Sequence, residues 1–488
     1  MSANPRLPIA SAAVTLLLLS ACMVGPSYRL PEEAKLNAPS ARGPFVESGN
    51  SAIAAAPLPP GWWRLYEDPK LDSLVLEALT ANTDLRAANA NLERSRASLR
   101  EAEVRRQSSL AVTGGVEYAQ LAGEQYLLPI TPPRNTYYDT GLTVGYDLDL
   151  FGGIRRGIEA ARADDEAVEA ARDLAMVNVA AETARAYVDA CGAGLQLAAA
   201  KGSLTLQGQS LELTERLRRG GRAMDLDVTR ARQLVDQLTG SIPPLEAAQR
   251  NALYRLATLT GAPAAQFNSD LEQCATPPRL TQPLPVGDGA ALLRRRPDVR
   301  EAERQLAAAT AEIGVATAQL YPDIQLAVPL GSVGATRDAL TSPTNYWGVG
   351  VVLNWQANQS AARARIAGSK ASAKLALAHF DGVVLVALQD AEAALNTYVH
   401  DLQRESSTRQ ARDDAATVAQ EARTLQIGGR ATSLDVVDAQ RTLASAEQSL
   451  AQLESTISDD QIAVFLALGG GWEAQPNPRE VAALDARN

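Results

Sequence analysis

Asp435 and Asp438 stand three residues apart in Leu434-Asp-Val-Val-Asp-Ala439, a spacing that puts both carboxylates on one face of a helix. Acids so placed attract cations, although an acid in a first helical turn also answers the helix dipole with no further role. The side chains that catalysis usually needs are scarce. His379 and His400, the only histidines, lie 21 residues apart with no cysteine or acid in a ligand pattern beside them. No phosphate loop or nucleophile elbow occurs, and Gly152-Gly153 with Gly157 is not a dinucleotide fingerprint. The residue chemistry predicts no enzyme, no metal and no cofactor.

The elements that position the two acids occur twice. Arg219-Gly-Gly-Arg-Ala-Met-Asp-Leu-Asp-Val228 returns 208 positions later as Ile427-Gly-Gly-Arg-Ala-Thr-Ser-Leu-Asp-Val436. A Gly-Gly pair stops one helix, and Asp225 or Ser433 is the expected cap of the next. The repeat extends upstream, where Asp84-Leu-Arg-Ala-Ala matches Asp298-Val-Arg-Glu-Ala. Each unit reads as helix, strand, loop, strand, long helix, turn, helix. The divisions predicted are a leader over 1–21, an N-terminal segment over 22–65, a first repeat over 66–265, a Pro-rich linker over 266–287, a second repeat over 288–470 and a tail over 471–488.

Four short stretches alternate with period two. Leu110, Val112, Val116 and Tyr118 share a face, as do Leu142, Val144, Tyr146, Leu148 and Leu150. In the second copy the sets are Ile324, Leu326, Val328 and Leu330, then Trp347, Val349, Val351, Leu353 and Trp355. Trp347 and Trp355 lie about 26 Å apart on a strand at ~3.3 Å per residue, close to the aromatic-girdled ~25 Å band of an outer-membrane barrel. A soluble sheet with one buried face alternates in the same way. If the strands span a membrane, four cannot close a barrel; two chains give eight strands and three give twelve.

From Gly153 to Arg219 and from Ser360 to Ile427 no proline occurs, which predicts two helices of about 67 residues, or ~100 Å each. Small and apolar spacing, as at Ala371, Leu375, Ala378 and Gly382, suits a seam against neighbouring helices. The return arms are half as long, and Pro243-Pro244 should kink the first. Rods of this length beside membrane strands describe a conduit.

The formal charge is −10, which argues against nucleic acid as a partner. An apolar run from Ile9 to Leu19 is too short for a membrane span and fits a secretory leader. Leu19-Ser-Ala-Cys22 resembles the bacterial lipoprotein signal box, which implies cleavage before Cys22 and a diacylglycerol and fatty acid on it. Met23 follows, with no aspartate to suggest inner-membrane retention. Cys191 lies deep in a helix and Cys274 in the linker; a disulfide is open to them, but two separate buried thiols are the favoured expectation.

The duplication, the order of elements and several motifs are similar to the bacterial outer-membrane efflux factors of the TolC/OprM type. The start Cys22-Met-Val-Gly-Pro-Ser-Tyr28 with Pro31 resembles the NodT-like lipoprotein branch serving multidrug pumps. Leu293-Arg-Arg-Arg-Pro-Asp-Val-Arg-Glu-Ala-Glu303, Ile313-Gly and Tyr321-Pro-Asp323 carry the strongest local match. The resemblance implies a protomer that is mainly α with β, forming a homotrimer with a 12-stranded β-barrel in the outer-membrane lipid and a 12-helix α-barrel reaching into the periplasm. It implies a passive exit duct that docks with a periplasmic membrane-fusion adaptor and an inner-membrane transporter of the RND type. Asp435 and Asp438 would ring the periplasmic aperture, with Arg430 and Asp227 in the links that hold it shut. Gly220, Gly221, Arg222, Gly428, Gly429 and Arg430 match the adaptor-docking tips. Two departures stand out. Leu425 and Leu217 replace the family's tyrosine before each turn, and the elbow kept as Phe151-Gly152-Gly153 becomes Ala357-Asn-Gln-Ser360 in the second copy. The competing expectation is a lipid-anchored trimeric coiled-coil lipoprotein without a pore.

Overall fold

The computed structural model describes residues 23–127, 129–280 and 282–471, without the side chains of residues 125 and 126. The expected leader, Cys22 and residues 472–488 of the tail lie outside the described residues. The chain forms two compact units, each drawing on both copies of the repeat. One comprises the described residues through Pro31, Leu92–Val168 and Glu301–Phe380; the other comprises Glu32–Asn91, Glu169–Arg300 and the residues from Asp381.

The first unit holds an antiparallel sheet. Strand β1 (Ser109–Ala119) pairs with β2 (Asn135–Asp147), β2 with β3 (Asp323–Ala335), and β3 with both β4 (Asn345–Trp347) and β5 (Gly350–Asn354). Register aligns the alternating apolar sets into rows: Val112 faces Leu142, Leu142 faces Leu330, and Leu330 faces Trp347. Opposed residues share a face of the sheet, so one face carries an apolar band, bordered by the polar row Thr140, Ser332 and Asn345. The stretch expected as one strand from Trp347 to Trp355 is broken between β4 and β5. Its partner there is Pro329, which has no N–H to return, although Gly348 N still donates to the Pro329 carbonyl at 2.9 Å. The strand expected to reach Leu150 stops at Asp147, because Asp149 (φ 41°) turns the chain and accepts from Ile154 N at 2.9 Å and Arg155 N at 3.1 Å. In the second copy Asn358 takes that place, accepting from Ser360 N at 3.2 Å. The two elbows thus carry different caps.

Helices α1 (Pro69–Ala81) and α2 (Thr83–Val104) precede β1, and α3 (Gly153–Arg219) and α4 (Asp225–Leu259) follow β2. The second copy repeats the order with α5 (Gly289–Arg295), α6 (Pro297–Ala318), α7 (Ser360–Ile427) and α8 (Ser433–Ala467). α3 has 67 residues and α7 has 68, as the absence of proline predicts. α4 continues through Pro243 and Pro244 as one helix.

In the second unit the helices meet through alanines, with Ala180, Ala184, Ala190, Ala387 and Ala391 fully buried. Trp62 and Trp63 are also fully buried, and Trp62 stacks on Phe465 with centroids 4.6 Å apart. Cys191 and Cys274 form a disulfide, against the expectation of two thiols. The residue spacing concealed this because the linker folds back onto α3. A Cβ at Gly194 would run into the Cys274 carbonyl oxygen, and Gln249 Nε2 donates to the Glu272 carbonyl at 3.0 Å. The linker is further tied down by Arg279, which donates to Glu405 at 2.7 Å; that guanidinium, with Arg409, holds the Glu405 carboxyl down at about 2.

Candidate functional site: the hairpin tips and the sheet face

Both hairpin tips lie in the second unit, and their backbones are alike. Gly221 and Gly429 each sit at φ 72°, the left-handed region that a side chain resists. Around them Arg222 N donates to the Leu217 carbonyl and Arg430 N to the Leu425 carbonyl, both at 2.8 Å. Gly221 N reaches Arg218 and Gly429 N reaches Gln426, both at 2.9 Å, so each long helix closes on a Schellman motif. Leu217 and Leu425, which stand where the family's tyrosine is expected, supply the carbonyls that receive this reverse bond. Gly220 and Gly428 are the last turn residues before it, and neither has positive φ.

The caps differ from those expected. Asp225 and Ser433 are the first helical residues, and the preceding Met224 and Thr432 hold the cap positions. Met224 N donates to Asp227 at 3.0 Å; Thr432 donates to Asp435 from its amide at 2.8 Å and its hydroxyl at 2.7 Å. Those bonds from Thr432 hold the Asp435 carboxyl below the usual carboxylate range. Asp438, one helical turn on, pairs with Arg441 at 3.1 Å and stays exposed. Arg430 makes no ion pair among the described residues. Two ties between hairpin arms were not anticipated: Arg218 pairs with Asp225 at 2.6 Å, and Gln426 donates to the Ser433 hydroxyl at 3.2 Å. Behind the tips Ala231, Leu234 and Val437 form a small core that packs α4 on α8.

In the first unit the apolar face of the sheet is bare. Val112 is 75% exposed, Val116 71%, Val351 64% and Trp347 83%. Among the described residues nothing covers this apolar band, so it is not the inner face of a soluble sheet; farther along the same face Tyr138 and Ser332 are buried, and Leu340 N donates to the Tyr138 hydroxyl at 2.9 Å. Trp355 follows β5, its indole N–H donating to the Leu320 carbonyl at 3.1 Å. The opposite face is mixed, carrying Thr113, Gly141, Thr143 and Gln325 but also Val333 and Val352. Both outer edges, β1 on one side and β4–β5 on the other, lack a partner strand among the described residues.

A sequence model of the family described as "Outer membrane efflux protein" matches residues 74–262 and 290–470. The chain belongs to the outer membrane efflux protein family. It is similar to Nodulation protein T of Rhizobium leguminosarum bv. trifolii, 30% identical over 475 residues, which cover 96% of this chain and 97% of that protein. It is equally similar, at 30% over 95% of this chain and 96% of the other, to the probable efflux pump outer membrane protein TtgC of Pseudomonas putida. Among solved structures, the outer-membrane channel OprN matches with a TM-score of 0.86 and 34% identity, covering 93% of this chain and all of that one. The expected fold class, mainly α with β in an internally duplicated protomer, and the outer-membrane location hold for this efflux protein.

Proposed function

We propose that three copies of this efflux protein assemble into the passive exit duct of a tripartite pump. Each protomer supplies four strand positions and four tunnel helices, for a 12-stranded barrel in the outer membrane and a 12-helix barrel below it. Small molecules would enter from an inner-membrane transporter of the RND type through a periplasmic adaptor. The adaptor engages the tips at Gly220, Gly221, Arg222, Gly428, Gly429 and Arg430. Asp435 and Asp438 narrow the periplasmic aperture as stacked carboxylate rings, with Arg430 and Asp227 as its closing partners. Cys22 carries the lipid, and Trp347 and Trp355 belong to the aromatic girdle.

The observation that carries this reading is the bare apolar sheet face flanked by two open edges. Lipid satisfies such a face and further copies satisfy such edges. A lipid-anchored helical spacer, the competing expectation, has no use for either. The decisive measurement is single-channel recording in planar bilayers with purified full-length protein. Discrete conducting steps from a heat-resistant trimer are expected; a trimer that inserts yet never conducts would sink the duct and leave the spacer.

A further inference from the structure

The first unit contains a cavity of about 470 Å³ between the segment that follows Cys22, the end of α2 and the start of α3. Four guanidiniums line it, those of Arg106, Arg155, Arg162 and Arg304, against the carboxylates of Glu159 and Glu166. Such a cluster of guanidiniums stands out in a chain of formal charge −10, although Asp149, Glu103 and Glu303 pair with three of them from just outside the lining. Arg106 is exposed and has no ion pair among the described residues. Arg162 meets only Glu103, at 3.3 Å, with both side chains about half exposed. Arg155 and Arg304 are held in place, the first by Asp149 at 3.2 Å and the second by Glu303 at 2.8 Å and Glu166 at 3.2 Å. Three of the cationic arms are thus ion-paired, that of Arg162 on the exposed side, and Arg106 alone has no acid beside it among the described residues.

Its remaining wall is apolar, formed by Met23, Ile158 and Ala307. That wall is built rather than accidental. Arg156, fully buried, donates to the carbonyls of Val24 at 3.1 Å and Gly25 at 3.0 Å, and Val24 N donates to the Phe151 carbonyl at 3.2 Å. Met23 is thereby pinned beside the elbow where β2 passes into α3. Arg106 stands three residues before β1 begins. The cavity thus opens where the bare apolar sheet face ends and water begins, the level at which lipid phosphates lie.

We infer that this cavity binds the phosphate of a phosphoglyceride, with Arg106 and Arg162 closing on the phosphate oxygens and Met23 and Ile158 meeting the glycerol and the first acyl carbons. Guanidiniums suit the task because their planar donors match phosphate oxygens in pairs. The inference rests on the membrane reading of the sheet and not on conduction, so its test is independent of current recordings.

Purified full-length protein in detergent is titrated with dioleoyl phosphatidylglycerol and observed by native mass spectrometry. One saturable lipid per protomer is expected, weakened about tenfold in the double variant Arg106→Gln with Arg162→Gln. Lys370→Gln with Lys374→Gln, which removes the same charge from exposed positions on α7, should leave binding unchanged. Excess inorganic phosphate should fail to displace the lipid, because it lacks the apolar contact. Equal loss in both double variants would reduce the effect to diffuse surface charge and overturn the site. Displacement by inorganic phosphate would make the ligand a free anion and overturn the lipid assignment, and the absence of any saturable adduct would end the proposal.

Discussion

Asp435 holds its charge through two bonds from Thr432, while Asp438 shares its charge only with Arg441 on the same exposed face of α8. Replacing both in Asp435→Ala with Asp438→Ala removes two carboxylates per protomer from the aperture proposed here. Single-channel conductance should rise and block by divalent cations should fall; unchanged recordings would remove the pair from that role. A second acidic group behaves differently. Burial, followed by the charge of Asp189, pushes the Asp459 carboxyl up to about 7, against the pull of Arg185 and Arg255. The folded chain then holds a proton that the unfolded chain has released, over the interval between about 4 and 7. Stability from this group is present at the acid end and is lost as pH rises through 7. Asp459→Asn should raise the apparent melting temperature at pH 8 by roughly 2–4 °C, the equivalent of about 1 kcal/mol, and give no gain near pH 4. A constant difference between the two proteins across that range would contradict the assignment.

The long helices depend on how their ends and their linker are held. The disulfide closes a separation of 83 residues and clamps the linker onto α3. Cys191→Ser with Cys274→Ser should lower unfolding stability by about 2–4 kcal/mol, read as a denaturation midpoint that added reductant reproduces in the native protein. Gly194→Ala should be at least as damaging with the disulfide intact, since its methyl would meet the Cys274 carbonyl. At the tip the cost is one of backbone alone. Gly429 has open space around it but a left-handed φ, whereas Gly428 does not. Gly429→Ala should therefore loosen the turn by about 1 kcal/mol and speed amide exchange over residues 425–433, with Gly428→Ala close to neutral. Equal effects at the two glycines would count against the Schellman geometry.

Across the whole molecule, a sheet with one bare apolar face and two open edges cannot be the final state of the chain in water. Full-length protein extracted in mild detergent should migrate as a trimer that survives gel electrophoresis unheated and falls to a single band on boiling. A monomer under both conditions would leave the sheet edges without the partners that the duct requires.

Much of this organisation was written locally. Proline-free runs stated where α3 and α7 begin and end, and the paired Gly-Gly segments placed both tips, because helix length and turn chemistry depend on residues close in sequence. Period-two patterning found the strands for the same reason. Their limits escaped it: β3 reaches Ala335, and β4 separates from β5, because those outcomes depend on which strand lies alongside. Pairing between distant residues was beyond local reading. Cys191 meeting Cys274, Arg156 gripping the Val24 carbonyl, and four arginines around one cavity bring together positions far apart in the chain. Alternation alone likewise suited a buried sheet and a membrane sheet equally. Only the tertiary structure, by leaving that apolar face uncovered, decided between them.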